Sequence, residues 1–156
     1  MALAYKKRLA ETLERLRNLY EERPEDRIFA VFDMPSQALS RYLQAHPQGF
    51  CDYPDPRERA AFWDSHLKER RDILDDGLPI AYLSEFDQGL YGGLVNGQVE
   101  FMLHDNGWVS SMTRPILRDW SELPALKIDP SHSWFRRYLA QMRIFREAAE
   151  GRFGIS

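Results

Sequence analysis

Residues 85–120 read EFDQGLYGGLVNGQVEFMLHDNGWVSSMTRPILRDW. This segment holds five of the nine glycines and two of the four tryptophans of the chain. Glycine is favoured where the backbone takes a positive φ or approaches another group closely. Two apolar runs, Val99–Leu103 and Trp108–Met112, flank Asn106-Gly107, a pair that is preferred in type I′ turns. The segment therefore predicts a compact glycine-rich surface beside a β-hairpin.

The composition predicts one folded domain. A chain of 156 residues can bury about 70% of its unfolded surface, and 44% hydrophobic with 29% charged residues is ordinary for a globular protein. The net charge of -3 argues against a nucleic-acid partner, because phosphate binding needs a basic surplus on one face. A small-molecule ligand remains open as a partner.

The cysteine count and the N-terminus predict a cytoplasmic protein. Cys51 is the only cysteine, so the chain forms no internal disulfide and no zinc site built on paired cysteines. Lys6-Lys7-Arg8 interrupts the N-terminal apolar residues before a signal-peptide core develops. Because no apolar run reaches membrane-spanning length, we expect no membrane partner.

The first 76 residues predict a helical lead-in. Apolar side chains recur at helical spacing from Tyr5 through Leu9, Leu13 and Leu16 to Tyr20, which predicts a helix that buries this stripe. Its charges predict that Glu11 pairs with Arg15 and that Glu14 pairs with Arg17 or Asn18.

A second strong helix signal starts at Asp55-Pro56, where Asp55 can cap the helix and Pro56 suits its first position. We expect this helix to bury Ala60, Trp63, Leu67 and Leu74, and to end at Asp75-Asp76-Gly77.

The last 36 residues, 121–156, predict a helix and a strand. Asp119–Pro124 has the pattern of a capped helical turn, and Asp129-Pro130-Ser131 opens a helix that ends at Gly151. We expect that helix to bury Phe135, Leu139, Met142 and either Phe145 or Ala149. With residues 77–120 as the glycine-rich segment and hairpin, the chain is predicted to be one α/β or α+β unit.

Several segments resemble the uroporphyrinogen decarboxylase-like family, which includes corrinoid-linked methyltransferases. They are Asp76-Gly77-Leu78-Pro79, Gly89–Gly93, Val99–Phe101, Trp108-Val109, Arg118–Leu123, Leu126–Pro130 and the Trp134–Gly151 helix. The resemblance implies the helix-rich N-terminal portion of a (β/α)8 barrel, with Arg152–Ser156 opening its first strand. Such a barrel needs about 250 residues, so the barrel in this chain is expected to be incomplete.

Two departures from that family affect the expected activity. Its decarboxylases carry an arginine pair in an Arg-x-x-x-Arg motif of the type Arg-Gln-Ala-Gly-Arg. The nearest arginines here, Arg23 and Arg27, have that spacing but enclose Pro24-Glu25-Asp26. Its methyltransferases use a His-x-Cys zinc site with a later cysteine, which a single Cys51 cannot supply. We therefore expect no metal or cofactor within this chain, and no lyase or methyl-transfer activity from it alone. The alternative is a non-catalytic module that binds a small ligand or another protein.

Six residues in the central segment are candidates for ligand binding. Glu85 and Asp87 lie two apart and could face one cleft as paired carboxylates, although solvation in a loop is the simpler explanation. His104 and Asp105 could form an acid–base pair, or Asp105 could belong to the turn. Gly92 and Gly93 allow a close approach of the backbone, either to a ligand or to neighbouring side chains. The catalytic residues remain unknown.

The C-terminal tail has the alternation of a strand, with Phe153 and Ile155 separated by Gly154. An unpaired strand edge attracts another strand. We expect the tail to pair within the chain, with Ile28–Phe32, or to mediate self-association.

Overall fold

The chain forms a helix-rich α/β arrangement with two small sheets. The computed structural model describes residues 3–23, 27–45, 50–51, 55–83, 89–103 and 109–156. In chain order, the elements are α1 (Leu9–Tyr20), α2 (Gln37–Ala45), β1 (Phe50–Cys51), α3 (Pro56–Glu69), β2 (Ile80–Ala81), α4 (Leu90–Leu94), β3 (Val99–Leu103), β4 (Val109–Thr113), a 3-10 helix (Trp120–Ala125), α5 (Ser133–Ala149) and β5 (Gly154–Ile155). The strands in these ranges form no closed barrel.

The hydrophobic core lies where α3 and α5 pack against each other beside β2 and β5. Trp63 and Leu67 of α3, Phe145 of α5 and Phe153 just before β5 are all buried there. Burial of each such side chain contributes about 1.5–3 kcal/mol. No helix in the described ranges is long and apolar enough to cross a membrane.

Helix α3 begins as its sequence predicts. Asp55 accepts a hydrogen bond from the backbone N–H of Arg57 at 2.9 Å, and Pro56 occupies the first helical position. The predicted C-terminal end is wrong, because the helix ends at Glu69 and Leu74 is 67% exposed. The Asp75-Asp76-Gly77 segment instead forms a network of ion pairs.

Helix α1 forms as predicted, but it buries a different face. Leu13 is 47% and Tyr20 82% exposed, while Thr12 and Arg15 are buried. The polar face is buried because Arg15 forms an ion pair with Asp76. Glu14 and Arg17 form the predicted pair at 3.2 Å.

Helix α5 buries Phe145 and Ala149, which the prediction named as alternatives, but not the rest of the predicted row. Gln141, Phe145 and Ala149 are buried, whereas Leu139 and Met142 are each 39% exposed. The row follows the spacing of four residues that faces α3. His132 caps this helix, since its Nδ1 accepts a hydrogen bond from the N–H of Trp134 at 3.3 Å.

The larger sheet has the strand order β1-β3-β4 and is antiparallel throughout. Strands β3 and β4 form the predicted hairpin, with Val99 opposite Thr113 and Leu103 opposite Val109. The predicted Asn106-Gly107 turn lies outside the described residues.

The smaller sheet pairs β2 and β5 in parallel, with Ile80 opposite Gly154 and Ala81 opposite Ile155. The N–H of Gly154 donates to the carbonyl of Pro79 at 2.8 Å, and that of Leu83 donates to the carbonyl of Ser156 at 2.9 Å. The tail therefore pairs within the chain, but with Ile80–Ala81 instead of Ile28–Phe32. Residues 28–32 are held elsewhere, because the side chains of Asp75 and Asp76 bind their backbone.

Candidate functional site

The structure describes two of the six predicted site residues. Gly92 and Gly93 lie on α4, while Glu85, Asp87, His104 and Asp105 lie outside the described residues. A Cβ on Gly92 would lie 2.5 Å from Cβ of Thr113, and one on Gly93 would lie 3.0 Å from Cδ1 of Trp134. The two glycines thus let α4 pack closely against β4 and α5.

A groove opens beside Gly92, between α4 and the segment that follows β4. Its volume is about 650 Å³, and its walls include Tyr91, Val95, Ile116 and Trp120. Trp120 is 81% and Tyr91 74% exposed. We call this the Trp120 groove. Aromatic side chains of this kind, presented at a concave apolar surface, are typical of binding sites.

A second concavity lies between α3 and the extended segment 27–33, which we call the strap. It has a volume of about 420 Å³ and is lined by Val31, Phe32, Asp33, Trp63, His66 and Tyr82, among others. We call it the His66 cleft. Its described lining combines aromatic rings with the carboxylate of Asp33 and the imidazole of His66. The Trp120 groove has a more uniformly apolar lining.

Asp75 fixes one end of the strap. Its carboxylate accepts hydrogen bonds from Lys6 Nζ at 2.8 Å, from Arg70 at 2.9 Å and from the N–H of Phe32 at 3.1 Å. Burial alone would raise the pKa of Asp75, but hydrogen bonds from Lys6 and from the N–H groups of Phe32 and Gly77 together hold that pKa below its ordinary value.

Asp76 holds the strap at a second point. Arg15 Nε donates to its carboxylate at 2.7 Å, Arg27 at 3.1 Å and the N–H of Ala30 at 2.9 Å, while the N–H of Asp76 donates to the carbonyl of Ala30 at 2.8 Å. The hydrogen bond from Arg15 lowers the pKa of Asp76 more than burial raises it. Both aspartates are therefore ionised, and their carboxylates are engaged in hydrogen bonds with the protein. Their role is to hold one wall of the His66 cleft in place.

His66 lies on the α3 side of that cleft. Its ring stacks on Phe62 with centroids 5.6 Å apart and meets Trp63 edge-on at 5.7 Å. Burial lowers the pKa of His66 and nearby Arg70 lowers it further, against the smaller opposing effects of Glu69 and Asp33. The imidazole is accordingly neutral at pH 7. Its buried Nδ1 makes no hydrogen bond within the described ranges.

No protein-family model matches the chain, and comparisons with curated proteins and with solved structures return no match. Within the described ranges, no group of three or more His, Cys, Asp and Glu side chains is placed to hold a metal ion.

Sequence reasoning did not find the His66 cleft. Its walls come from residues near 31–33, 63–66 and 82, and no local pattern links such distant segments. One signal was present: Trp63 and His66 are three residues apart, which places both side chains on the same face of α3. The predicted glycine segment forms the edge of the Trp120 groove instead, through Gly92.

Proposed function

We propose that this chain is the N-terminal portion of a (β/α)8 enzyme similar to the uroporphyrinogen decarboxylase-like family, whose members act as lyases or in methyl transfer. The observation that carries the proposal is the parallel pairing of β2 and β5, with β5 following directly after α5. Parallel strands need a long crossover connection, commonly through a helix. Here the connection contains the β3–β4 hairpin and ends with α5, and a helix followed by a parallel strand is a step of the barrel repeat.

The free edge of this pair supports the same proposal. Within the described residues, β5 has β2 on one side and no strand on the other. Parallel sheets are normally extended and covered on both faces, so a further parallel strand of the same protein fits this edge. A second copy of the chain is the other occupant that we predicted for it. Sedimentation distinguishes the two, because only self-association raises the mass of the purified chain with concentration.

The arginines nearest to the family motif are engaged in ion pairs. Arg27 binds Asp76, and Arg23 pairs with Glu21. We expect no turnover from the chain alone.

Sequencing the transcript through the codon for Ser156 tests the proposal. The expected result is a continuing reading frame that encodes alternating helices and strands. A stop codon directly after Ser156 would overturn the proposal, and so would turnover of a porphyrinogen or a methyl-cobamide by the purified chain.

A second candidate function is a non-catalytic module for a small ligand or a protein partner. The exposure of Trp120 and Tyr91 at the Trp120 groove favours it. Trp120→Ala should weaken binding of such a partner and leave the unfolding free energy unchanged, because the side chain is exposed. If the barrel proposal is correct instead, Trp120→Ala should change neither the binding properties nor the unfolding free energy of the isolated chain.

A further inference from the structure

The His66 cleft has the size and the lining of a small-molecule site. Its volume of about 420 Å³ lies in the range of roughly 300–1,000 Å³ that such sites occupy. Val31, Phe32 and Tyr82 are 59%, 52% and 45% exposed, so a ligand has apolar surface to cover there. The strap that carries the first two is fixed by three backbone hydrogen bonds to the loop of Asp75 and Asp76. The cleft is therefore held open before any ligand binds.

The charges around the cleft leave one carboxylate without a counterion. Asp76 pairs with Arg15 and Arg27, and Asp75 pairs with Arg70 and Lys6. Asp33 is exposed at the rim and has neither an ion pair nor a hydrogen bond with another described residue. The cleft thus presents one carboxylate without a direct partner beside an aromatic wall.

His66 does not neutralise that charge. Its ring lines the cleft with Asp33, but burial lowers its pKa and keeps the imidazole neutral at pH 7. The ring also packs against both Phe62 and Trp63, which holds it within the aromatic wall.

We infer that the His66 cleft binds a small organic amine, with its ammonium group on Asp33 and its apolar or aromatic body against Val31, Phe32 and Tyr82. A charge-assisted hydrogen bond to the carboxylate supplies the polar contact. The ring faces of Tyr82 and Phe32 attract a cation as well as an apolar body. An anion of the same shape is repelled by Asp33, and Arg70, the cation among the described residues that line the cleft, is already bound by Asp75.

The probe for this inference is 2-phenylethylamine, which is a cation at neutral pH. Isothermal titration calorimetry on the full chain is expected to give a Kd on the order of 0.1–1 mM, the range for so small a ligand. The neutral analogue 2-phenylethanol should bind at least about tenfold more weakly, since it lacks the charged hydrogen bond. The anion 3-phenylpropionate should show no binding. Equal affinity for amine and anion would overturn the inference.

Two variants locate the amine. Asp33→Asn keeps the shape of the side chain and should weaken binding at least about tenfold, whereas Glu147→Gln removes an exposed carboxylate from α5, outside the cleft, and should leave the affinity unchanged. Val31→Trp should abolish binding by filling the cleft from an exposed position. Far-UV circular dichroism checks that each variant folds.

Nuclear Overhauser effects give an independent readout in the unmutated chain. They should connect the phenyl protons of the amine with the methyl groups of Val31 and the ring of Tyr82. Wild-type affinity in Asp33→Asn, or contacts confined to other residues, would show that the amine does not bind in the cleft.

Discussion

Asp76 connects three segments of the chain through a single carboxylate. Its side chain is 1% exposed and binds α1 through Arg15, as well as Arg27 and the backbone of Ala30 in the strap. The sequence shows two adjacent aspartates before a glycine, which is equally typical of a helix end. The partners of Asp76 lie 46 to 61 residues away, so no local pattern predicts the network.

Replacement of Asp76 by asparagine should destabilise the fold. The variant keeps the shape but leaves Arg15, whose side chain is 9% exposed, without its buried counterion. Breaking a buried ion pair in this way costs about 3–5 kcal/mol. Urea denaturation measures the unfolding free energy. Asp72→Asn is the matched control, because Asp72 pairs with Lys7 at the surface, and a similar loss in both variants would contradict the prediction.

His66 should make stability depend on pH in a window that begins near its ordinary pKa. Burial lowers the pKa of folded His66 below the reference value of 6.5, so the unfolded chain binds more protons as the pH falls through 6.5. The unfolding free energy therefore decreases from about pH 7 downwards and levels off below the folded pKa. Thermal melts of wild type and His66→Gln test this. The difference between them should change with pH, and a constant difference would exclude the effect.

At the scale of elements, local patterns predicted the helices and the hairpin better than their ends and faces. The capping signal of Asp55-Pro56 and the two apolar runs around the hairpin act within a few residues, and the structure has α3 and the β3–β4 pair where they indicate. The five-residue helix α4 contains Gly92 and Gly93 and has no apolar periodicity. It forms because β4 and Trp134 pack against it, which the sequence does not reveal.

Gly92 should tolerate no side chain, because an added Cβ would overlap Thr113 of β4 at 2.5 Å. Gly92→Ala therefore forces α4 away from the sheet, and we expect a loss of about 1–3 kcal/mol in unfolding free energy. Gly154→Ala is the same substitution at a position where the nearest atom, Cγ1 of Ile80, is 3.4 Å away. It should stay within about 1 kcal/mol of wild type. Equal losses of unfolding free energy for the two variants in chemical denaturation would show that α4 can move away from β4 at little cost.

At the scale of the whole molecule, the N-terminal segment around Tyr5 contacts the C-terminal segment around Phe153. Tyr5 stacks on Phe153 with centroids 6.1 Å apart, and the N–H of Tyr5 donates to the carbonyl of Arg152 at 3.0 Å. Arg152 and Tyr5 both donate to the carboxylate of Asp64 at 2.9 Å. Residues near both ends thus join α3 around one core.

Shortening the side chain of Phe153 to alanine should destabilise the entire fold rather than the C-terminal tail alone. The side chain is 3% exposed in the core, and Phe153→Ala should cost about 3–5 kcal/mol. Phe32→Ala removes an aromatic side chain that is 52% exposed and should cost about 0.5 kcal/mol or less. Near-UV and far-UV circular dichroism should report the same lowered midpoint for Phe153→Ala. Loss of the near-UV signal first would show that the core melts in separate parts.

The parallel pairing of β2 with β5 also has a consequence for protein synthesis. The carbonyl of Pro79 accepts a hydrogen bond from the N–H of Gly154, and the N–H of Leu83 donates to the carbonyl of Ser156. At about 5–20 residues per second, the ribosome needs roughly 4–14 s to pass from residue 83 to residue 153. Throughout that interval, Trp63 and Ala81 lack the side chain of Phe153 that completes their core, so the nascent chain offers an apolar stretch to chaperones.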